Sequence, residues 1–452
     1  MTGAFHLGVL AERAAERRDA DHRSLLFEGR WWTSGELHDR VTRIAGGLSA
    51  IGLRPGDRVV VVMATTPDVG VLYQACWRAG LVATPVLFLV PPAELRTILI
   101  DSAARCVITT PEFLDNVRGA ADGLDVTIVL DGDAAGTTPL ADLAAAAPVP
   151  IVDRRDDDLA ALLYTGGTTG RAKGVELTHT NLWYAGRAGY ESTADDRLGR
   201  TLMPLPLAHS FGLLVSVTST HDPEPGVAVL QRWFDPEGFC ELVAEHHLQQ
   251  ATVVPTMLRV LLTLPLESYD LSSLERIVCG SAPLPPAVLH AFEQRVPSVT
   301  ICEGYGLTET AAAATVNRRT HRKVGTVGQP LPGTELRIVG AAGEPAATGD
   351  PGEVWVRSAA NARGYRGETD GSDTFTSDGW VRTGDIGALD DEGFLTILDR
   401  MKDLVIRNGF NIYPRDVEEA LVEHDAVAAA AVVGEPGPVT GSARRPTHAT
   451  CG

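Results

Sequence analysis

The chain has 452 residues with 58 acidic and 39 basic side chains, and its formal net charge of −19 excludes an extended nucleic-acid interface, which needs a basic face. The hydrophobic share of 44% excludes a disordered chain and allows a large core in roughly two or three domains. The six cysteines have no paired spacing, which disfavours a disulfide framework and a zinc site.

The first half of the chain alternates predicted helices and strands. Thr33 and Glu36 have the spacing of a capping box and predict a helix that ends before Gly52. Fully apolar strands that alternate with helices are typical of parallel sheets covered on both faces. The fold class is therefore predicted to be α/β, with a large N-terminal domain of stacked α/β sheets over 1–399. Apolar runs of strand length occur at 58–63, 81–86, 106–109, 126–130 and 159–164.

The most apolar stretch of the chain, 81–90, contains Pro85 and is too short to span a bilayer. Nor does a basic start lead into an apolar signal segment. We therefore expect no integral membrane segment and a cytoplasmic protein.

The sequence pattern of the chain changes after Gly325. Short strand-like runs separated by Gly, Pro and Asp turns predict a β-rich subdomain at about 325–399. A helix is predicted at 414–424 and a strand at 427–433, which we interpret as an incomplete small α+β C-terminal domain over 403–434. The stretch 435–452 has no periodicity and is predicted to be a disordered tail.

The strongest functional signal is a glycine- and threonine-rich loop after the predicted strand at 159–164. Glycines let backbone N–H groups turn toward phosphate oxygens, the threonines add hydroxyl donors, and Lys173 adds a positive charge. The spacing is not that of a Walker loop, and the loop alone leaves a flexible surface segment open as an alternative. Lys173 is one of three lysines in the chain, with Lys323 and Lys402. The loop residues are Thr165, Gly166, Gly167, Thr168, Thr169 and Gly170.

The segment 164–175 resembles the phosphate-binding loop of the adenylate-forming superfamily, which includes acyl-CoA synthetases, peptide-synthetase adenylation domains and luciferases. The chain departs from the usual loop at Gly166, where serine is common, and at Ala172, where proline is common. Three further segments resemble motifs of the same family and follow in the family's order. They are 304–310 (GYGLTET), 379–385 (GWVRTGD) and 399–403 (DRMKD).

This resemblance implies nucleotide-binding roles for single residues. After Gly304, Tyr305 stacks on adenine, Thr308 contacts the phosphate, and Glu309 helps to hold Mg²⁺, a hard cation that prefers carboxylate oxygens. Asp385 binds the ribose hydroxyls, with Arg400 toward the ribose and Lys402 as the pivot of a hinge at 400–402. The residues implied to be catalytic are Thr168, Lys173, His209 and Glu309.

The acid-binding side is implied by two further segments. The segment 204–212 resembles the substrate motif of acyl- and aryl-CoA ligases and places His209 and Phe211 in the pocket. The segment 278–283 resembles another pocket wall. A structural histidine and an ordinary βα turn remain the alternatives. No aspartate lies between 204 and 217, which disfavours an α-amino acid as substrate. The residues of the second wall are Gly280, Ser281 and Ala282.

The resemblance implies ATP-dependent activation of a small-molecule carboxylic acid to an acyl adenylate, followed by transfer to coenzyme A. A short stretch at 340–352 favours coenzyme A over a carrier protein as the acceptor. No lysine follows Lys402, whereas family members have one near the end of the C-terminal domain, so we expect a truncated chain and weak adenylation. The alternatives are a catalytically silent nucleotide- or acyl-binding protein, an acyl-AMP ligase that serves a carrier protein, and a ligase confined to the thioester step.

Overall fold

The computed structural model describes most of the chain up to residue 403 and parts of it beyond. The described residues are 3–165, 172–193, 198–224, 226–367, 373–403, 405–407, 410–414, 417–418, 421, 427, 430–433, 436–437, 441–442 and 446–447. Within these ranges, no helix combines the length and the apolar character needed to cross a membrane.

The described part contains α-helices and strands that alternate up to about residue 305. The helices are α1 (Leu7–Arg17), α2 (Ser34–Ala50), α3 (Pro67–Arg78), α4 (Pro92–Asp101), α5 (Leu114–Ala121), α6 (Leu140–Ala144), α7 (His179–Thr193), α8 (Ser210–His221), α9 (Pro236–His246), α10 (Pro255–Leu261) and α11 (Pro286–Arg295). The strands up to that point are β1 (Arg23–Phe27), β2 (Arg30–Thr33), β3 (Arg58–Val62), β4 (Val82–Pro85), β5 (Ala104–Thr109), β6 (Thr127–Leu130), β7 (Thr138–Pro139), β8 (Leu159–Thr165), β9 (Lys173–Thr178), β10 (Arg200–Met203), β11 (Val227–Leu230), β12 (Gln250–Val253), β13 (Arg276–Cys279) and β14 (Thr300–Tyr305).

The rest of the described chain consists mainly of strands. They are β15 (Thr315–Val316), β16 (Gln329–Pro330), β17 (Thr334–Val339), β18 (Gly352–Ser358), β19 (Gly364–Tyr365), β20 (Trp380–Leu389), β21 (Leu395–Arg400), β22 (Val405–Arg407), β23 (Phe410–Ile412), β24 (Ala431–Val432), β25 (Pro436–Gly437), β26 (Gly441–Ser442) and β27 (Pro446–Thr447).

Two large mixed sheets form the main body. One has the order β19-β9-β8-β4-β3-β5-β6-β7, and its pairs from β8 to β7 are parallel. The other has the order β16-β15-β14-β13-β12-β10-β11-β1-β2 and is parallel from β14 to β1. The predicted α/β class is confirmed. The outer strands that pair antiparallel (β9 and β19 in one sheet, β2, β15 and β16 in the other) were not foreseen.

The capping box was predicted correctly. The Thr33 hydroxyl accepts a hydrogen bond from the Glu36 amide at 3.1 Å, and the Glu36 carboxylate accepts one from the Thr33 amide at 2.8 Å. The two bonds satisfy amides that the first turn of α2 leaves without helical partners. The helix ends at Ala50, and Gly52 follows at φ +93°, a conformation that favours glycine.

The core of the first sheet is built around the indole of Trp77. Trp77, on α3, is 1% exposed and donates a hydrogen bond from Nε1 to the Ala160 carbonyl at 3.0 Å. Ala160 belongs to β8, whose end leads into the glycine-rich loop. The packing of α3 therefore also fixes the strand that carries the start of that loop.

The β-rich subdomain is a four-stranded antiparallel sheet in the order β17-β18-β20-β21. The subdomain is confirmed, while its boundaries at about 325–399 stay a prediction. β20 and β21 are in a register that sets Asp385 opposite Arg400. A turn over Met401–Asp403 follows at the predicted hinge.

The predicted strand at 427–433 was wrong in length, because among its described positions, 427 and 430–433, only Ala431–Val432 is a strand, paired with β27. The described positions of the predicted helix 414–424 are helical, at 414, 417, 418 and 421. Within 435–452 the structure describes only the three two-residue strands β25 to β27. The remainder lies outside the described residues, so the disordered tail and the small C-terminal domain stay predictions.

Two buried histidines join the first helix to α7. The rings of His6 and His179 stack with centroids 4.5 Å apart. The Val9 amide donates a hydrogen bond to Nδ1 of His6, and the Leu7 amide donates one to Nδ1 of His179, each at 3.3 Å. Burial is the main cause that lowers the pKa of both imidazoles, in His179 to about 3. Both rings are therefore neutral in the folded protein at pH 7.

We expect stability to fall as the pH drops from 6.5 toward 3, because in this range His179 is protonated in the unfolded chain but stays neutral in the folded protein. Between pH 7 and pH 5 this group alone lowers the free energy of unfolding by about 2 kcal/mol. Urea unfolding at both pH values checks this, with His179→Gln losing correspondingly less than the parent. The exposed His290, changed to Gln, is the control. An equal pH dependence in parent and His179→Gln would contradict the prediction.

Candidate active site

A cleft of about 1900 Å³ lies where the ends of the large sheets meet the β-rich subdomain. Most of the described residues that the sequence nominated for a site line this cleft. They are Thr165, Lys173, His209, Phe211, Gly280, Ser281, Gly304, Tyr305, Thr308, Glu309, Arg400 and Lys402. Residues more than 230 positions apart in the chain thus face one space.

Some nominated residues do not line the cleft. Gly166, Gly167, Thr168, Thr169 and Gly170 lie outside the described residues. Asp385 is 3% exposed and lies behind Tyr305. Ala282 is exposed and does not belong to the cleft lining, unlike its neighbours Gly280 and Ser281, and its role in the pocket wall stays a prediction.

The glycine-rich loop begins and ends on a β-hairpin. β8 and β9 pair antiparallel, with Thr165 opposite Lys173. Below this pair, the Tyr164 hydroxyl donates to the Asp101 carboxylate at 2.6 Å, and Arg366 Nε donates to the Asp101 carbonyl at 2.6 Å. The hairpin fixes the position of Lys173 through backbone pairing, and Asp101 ties its base to the end of α4.

Lys173, Tyr365 and Glu309 form a polar cluster beside the loop. The Lys173 ammonium lies 4.6 Å from the centroid of the Tyr365 ring, and the Tyr365 hydroxyl donates to Glu309 Oε1 at 2.6 Å. β19 brings Tyr365 there by pairing with β9, opposite Val175. The sequence did not nominate Tyr365, because its type and position in the chain say nothing about a partner 56 residues away.

A second cluster joins the adenine motif to the hinge. The Tyr305 hydroxyl donates to Asp385 Oδ2 at 2.6 Å, and Arg400 Nε lies 3.1 Å from Asp385 Oδ1. Burial and the nearby carboxylate raise the pKa of Tyr305 well above its usual value, so its hydroxyl keeps the proton that it donates. Burial raises the pKa of Asp385, while the Tyr305 hydroxyl and Arg400 oppose that shift.

The wall that the sequence resemblance assigns to the acid, called the acid-side wall, is formed by the start of α8 and the turn after β13. His209 caps α8, and its Nδ1 accepts a hydrogen bond from the Phe211 amide at 3.3 Å. Its exposed surface faces the cleft, and the protein around it lowers the pKa of the imidazole by desolvation. A neutral ring with Nδ1 as acceptor carries its proton on Nε2 and can donate from there. The end of α8, 216–221, is helical although it is rich in serine and threonine.

The oxygen donors at Glu309 fit a magnesium ion that arrives with a nucleotide. Mg²⁺ usually takes one or two protein carboxylates and completes its shell with phosphate oxygens and water. Glu309 supplies a carboxylate in the cleft wall next to Thr308. In the described part of the chain, no three His, Cys, Asp or Glu side chains cluster as an all-protein metal site would need.

Five of the cysteines lie in the described residues, and all five are buried thiols. Cys279, the last residue of β13, is 1% exposed and directly precedes the wall residue Gly280. Burial is the main cause that raises the pKa of Cys279, and burial raises that of Cys76 to about 12.

The fold and the cleft together define an adenylate-forming enzyme, and comparison with known proteins agrees. The family model described as AMP-binding enzyme matches residues 11–366, so the chain belongs to the AMP-binding enzyme family. The predicted superfamily is confirmed, and the predicted acid–thiol ligase class is confirmed at the level of the family.

Three similar proteins illustrate this membership. A feruloyl-CoA synthase of Amycolatopsis sp is 36% identical over 412 residues, which cover 90% of this chain and 81% of that protein. A sulfoacetate–CoA ligase of Cupriavidus necator is 34% identical over 440 residues, which cover 96% of this chain and 85% of that protein. The ATP-bound structure of MatB from Rhodopseudomonas palustris has a TM-score of 0.87 at 31% identity and covers 97% of this chain and 88% of that one.

Proposed function

We propose that the protein activates a carboxylic acid with ATP and transfers the acyl group to coenzyme A in the cytoplasm. The observation that carries the proposal is that Lys173 and Glu309 line one cleft with Tyr305 and Arg400, which are both held by the buried Asp385 behind them. A cation and a carboxylate beside a glycine-rich hairpin suit a metal-bound triphosphate. The second cluster suits a nucleoside.

In the first step, a carboxylate oxygen attacks the α-phosphorus of ATP. An O–P bond forms, the bond to the leaving phosphate breaks, and pyrophosphate departs. Positioning of the reactants and neutralisation of charge contribute most to the rate of such a step. Lys173, with Thr165 and the loop hydroxyls of Thr168 and Thr169, contributes positive charge and donors, and Mg²⁺ held by Glu309 adds charge neutralisation when bound.

In the second step, a thiol attacks the acyl carbon and AMP departs. His209 faces the acid side of the cleft, with its Nε2 proton available as a donor toward the acyl oxygen. Gly280 keeps the opposite wall close, because a Cβ there would lie 3.1 Å from the Gly304 carbonyl and 3.8 Å from the Phe211 ring. We propose that His209, Phe211, Gly280 and Ser281 bind the reacting end of the acid.

An acyl-AMP ligase that serves a carrier protein is the second candidate. Its family members often carry an insertion in the β-rich subdomain. Here the stretch 340–352 is only the connection between β17 and β18 together with the first residue of β18, which favours coenzyme A. We propose coenzyme A as the acceptor for that reason.

The test is ATP-dependent pyrophosphate release with a panel of fatty and aryl acids, with and without coenzyme A. Acid-dependent release together with acyl-CoA formation supports the proposal. ATP binding without any release would favour the silent nucleotide-binding alternative, and product only from supplied acyl adenylate would favour a thioester-forming ligase.

Asp385→Asn should weaken ATP binding by about tenfold, because Asp385 holds Tyr305 and Arg400 in the cleft wall, and hydrogen bonds to a charged acceptor are stronger than those to an amide. The variant keeps the shape of the side chain but removes the charge that faces Arg400. Calorimetric titration with ATP measures the effect. Asp390→Asn, which loses a surface pairing with Lys323 directly after the end of β20, is the control. Unchanged affinity in Asp385→Asn would contradict the proposed nucleoside site.

A further inference from the structure

Tyr365 contacts both Glu309, the proposed Mg²⁺ ligand, and Lys173, the lysine beside the glycine-rich loop. Its hydroxyl donates to Glu309 Oε1 at 2.6 Å, and its ring faces the Lys173 ammonium at 4.6 Å. Two elements hold the ring in place. β19 pairs with β9, and Phe375 packs against the ring edge-to-face with centroids 5.2 Å apart.

We propose that Tyr365 is a positioning residue that holds Glu309 ready for Mg²⁺–ATP and keeps Lys173 beside it. The inference rests on the proposed function, and it assigns a role to a side chain outside the four motifs that carry the family resemblance.

Glu309 is held by one short segment at two points, its backbone carbonyl and its carboxylate. The Ala362 amide donates to the Glu309 carbonyl at 2.8 Å, and the Tyr365 hydroxyl takes Oε1. A phenol that donates to one carboxylate oxygen fixes the rotation of the group and leaves Oε2 for a metal ion. Hydrogen-bond partners of this kind orient metal ligands, and their loss typically costs about 10–100-fold in metal affinity.

Fixing Glu309 matters because the backbone around it is tightly turned. Ala311 and Ala312, directly after Thr310, have φ of +51° and +65°, a region unfavourable for residues with a Cβ. A Cβ on Gly306 would lie 2.5 Å from the backbone carbon of Ala312. The backbone of 306–312 is therefore compact. Tyr365 contacts this segment from β19, a separate strand.

The ring has a separate effect on Lys173. An ammonium over a tyrosine face is attracted by the ring quadrupole, which limits the positions of a flexible four-carbon side chain. The hydroxyl and the ring thus act on different partners. Tyr365→Phe removes only the first contact, and Tyr365→Leu removes both.

The test compares these two variants with the parent and with Tyr73→Phe. Tyr73 is a buried tyrosine whose hydroxyl donates to the Leu207 carbonyl at 2.8 Å, so its variant loses a comparable bond without touching Glu309. ATP affinity is measured by calorimetry with Mg²⁺ and with EDTA. The Mg²⁺ concentration for half-maximal pyrophosphate release and the melting temperature are measured alongside.

We expect Tyr365→Phe to raise the half-saturating Mg²⁺ concentration by about 10–100-fold and to leave ATP affinity in EDTA unchanged. Tyr365→Leu should also weaken binding in EDTA, by about fivefold. Tyr73→Phe should lower only the melting temperature.

An unchanged Mg²⁺ dependence in Tyr365→Phe, or a loss that is equal with Mg²⁺ and EDTA, would overturn the inference while the proposed function stands. A parent protein that binds no ATP under either condition would overturn the proposed function itself.

Discussion

Lys173→Met slows acid-dependent pyrophosphate release by about 10²–10³-fold, the usual cost of removing one group that stabilises charge in a transition state. Lys173 begins β9, lines the cleft and faces Tyr365. Methionine keeps the length of the side chain and removes the charge, so the hairpin pairing with Thr165 is retained. Steady-state release under saturating ATP measures the effect.

The matched control is Lys323→Met. Lys323 is exposed and pairs with Asp390 and Glu392 at the surface of the β-rich subdomain. Exposed pairs of this kind contribute at most about 1 kcal/mol to stability, and this one lies outside the cleft lining. Equal rates in the two lysine variants would remove Lys173 from the proposed chemistry.

Trp77→Ala lowers the free energy of unfolding by about 3–5 kcal/mol, the range for emptying a buried tryptophan site. The substitution leaves a cavity under the first sheet and takes the Nε1 donor from the Ala160 carbonyl. Urea unfolding followed by circular dichroism measures the change.

Trp233 offers the comparison at the surface. It is 41% exposed and contacts Phe88 and Phe113 through ring edges. Trp233→Ala should cost about 1 kcal/mol, because much of the side chain already faces water and only the aromatic contacts are lost. A comparable cost for both variants would mean that Trp77 is not central to the core.

Local patterns predicted the elements of the main body well. A capping box needs only Thr33 and Glu36 three residues apart, and a strand such as β3 is recognisable from an unbroken apolar run. The same local logic placed β17 and β18 in a β-rich region. It failed at 427–433, because an apolar run specifies burial but not a partner strand.

The contacts within the site could not be predicted in this way. Tyr305 meets Asp385 across 80 positions, and this contact depends on how the second large sheet meets β20. Tyr365 reaches Glu309 because β19 pairs with β9, a pairing between segments about 190 positions apart. The motif resemblance nominated Tyr305, Asp385 and Glu309, and only the tertiary structure adds Tyr365 and the anchoring of the hairpin by Asp101.

The buried cysteines bear on chemical selectivity. An acyl adenylate is an electrophile that any nearby thiolate could intercept, and such self-acylation would compete with coenzyme A. Cys279 lies next to the acid-side wall, but burial keeps its sulfur covered and raises its pKa, so it stays a thiol, the unreactive form. In the proposed reaction, the strand that forms this wall therefore supplies no competing thiolate, and the acyl adenylate is left for the incoming thiol.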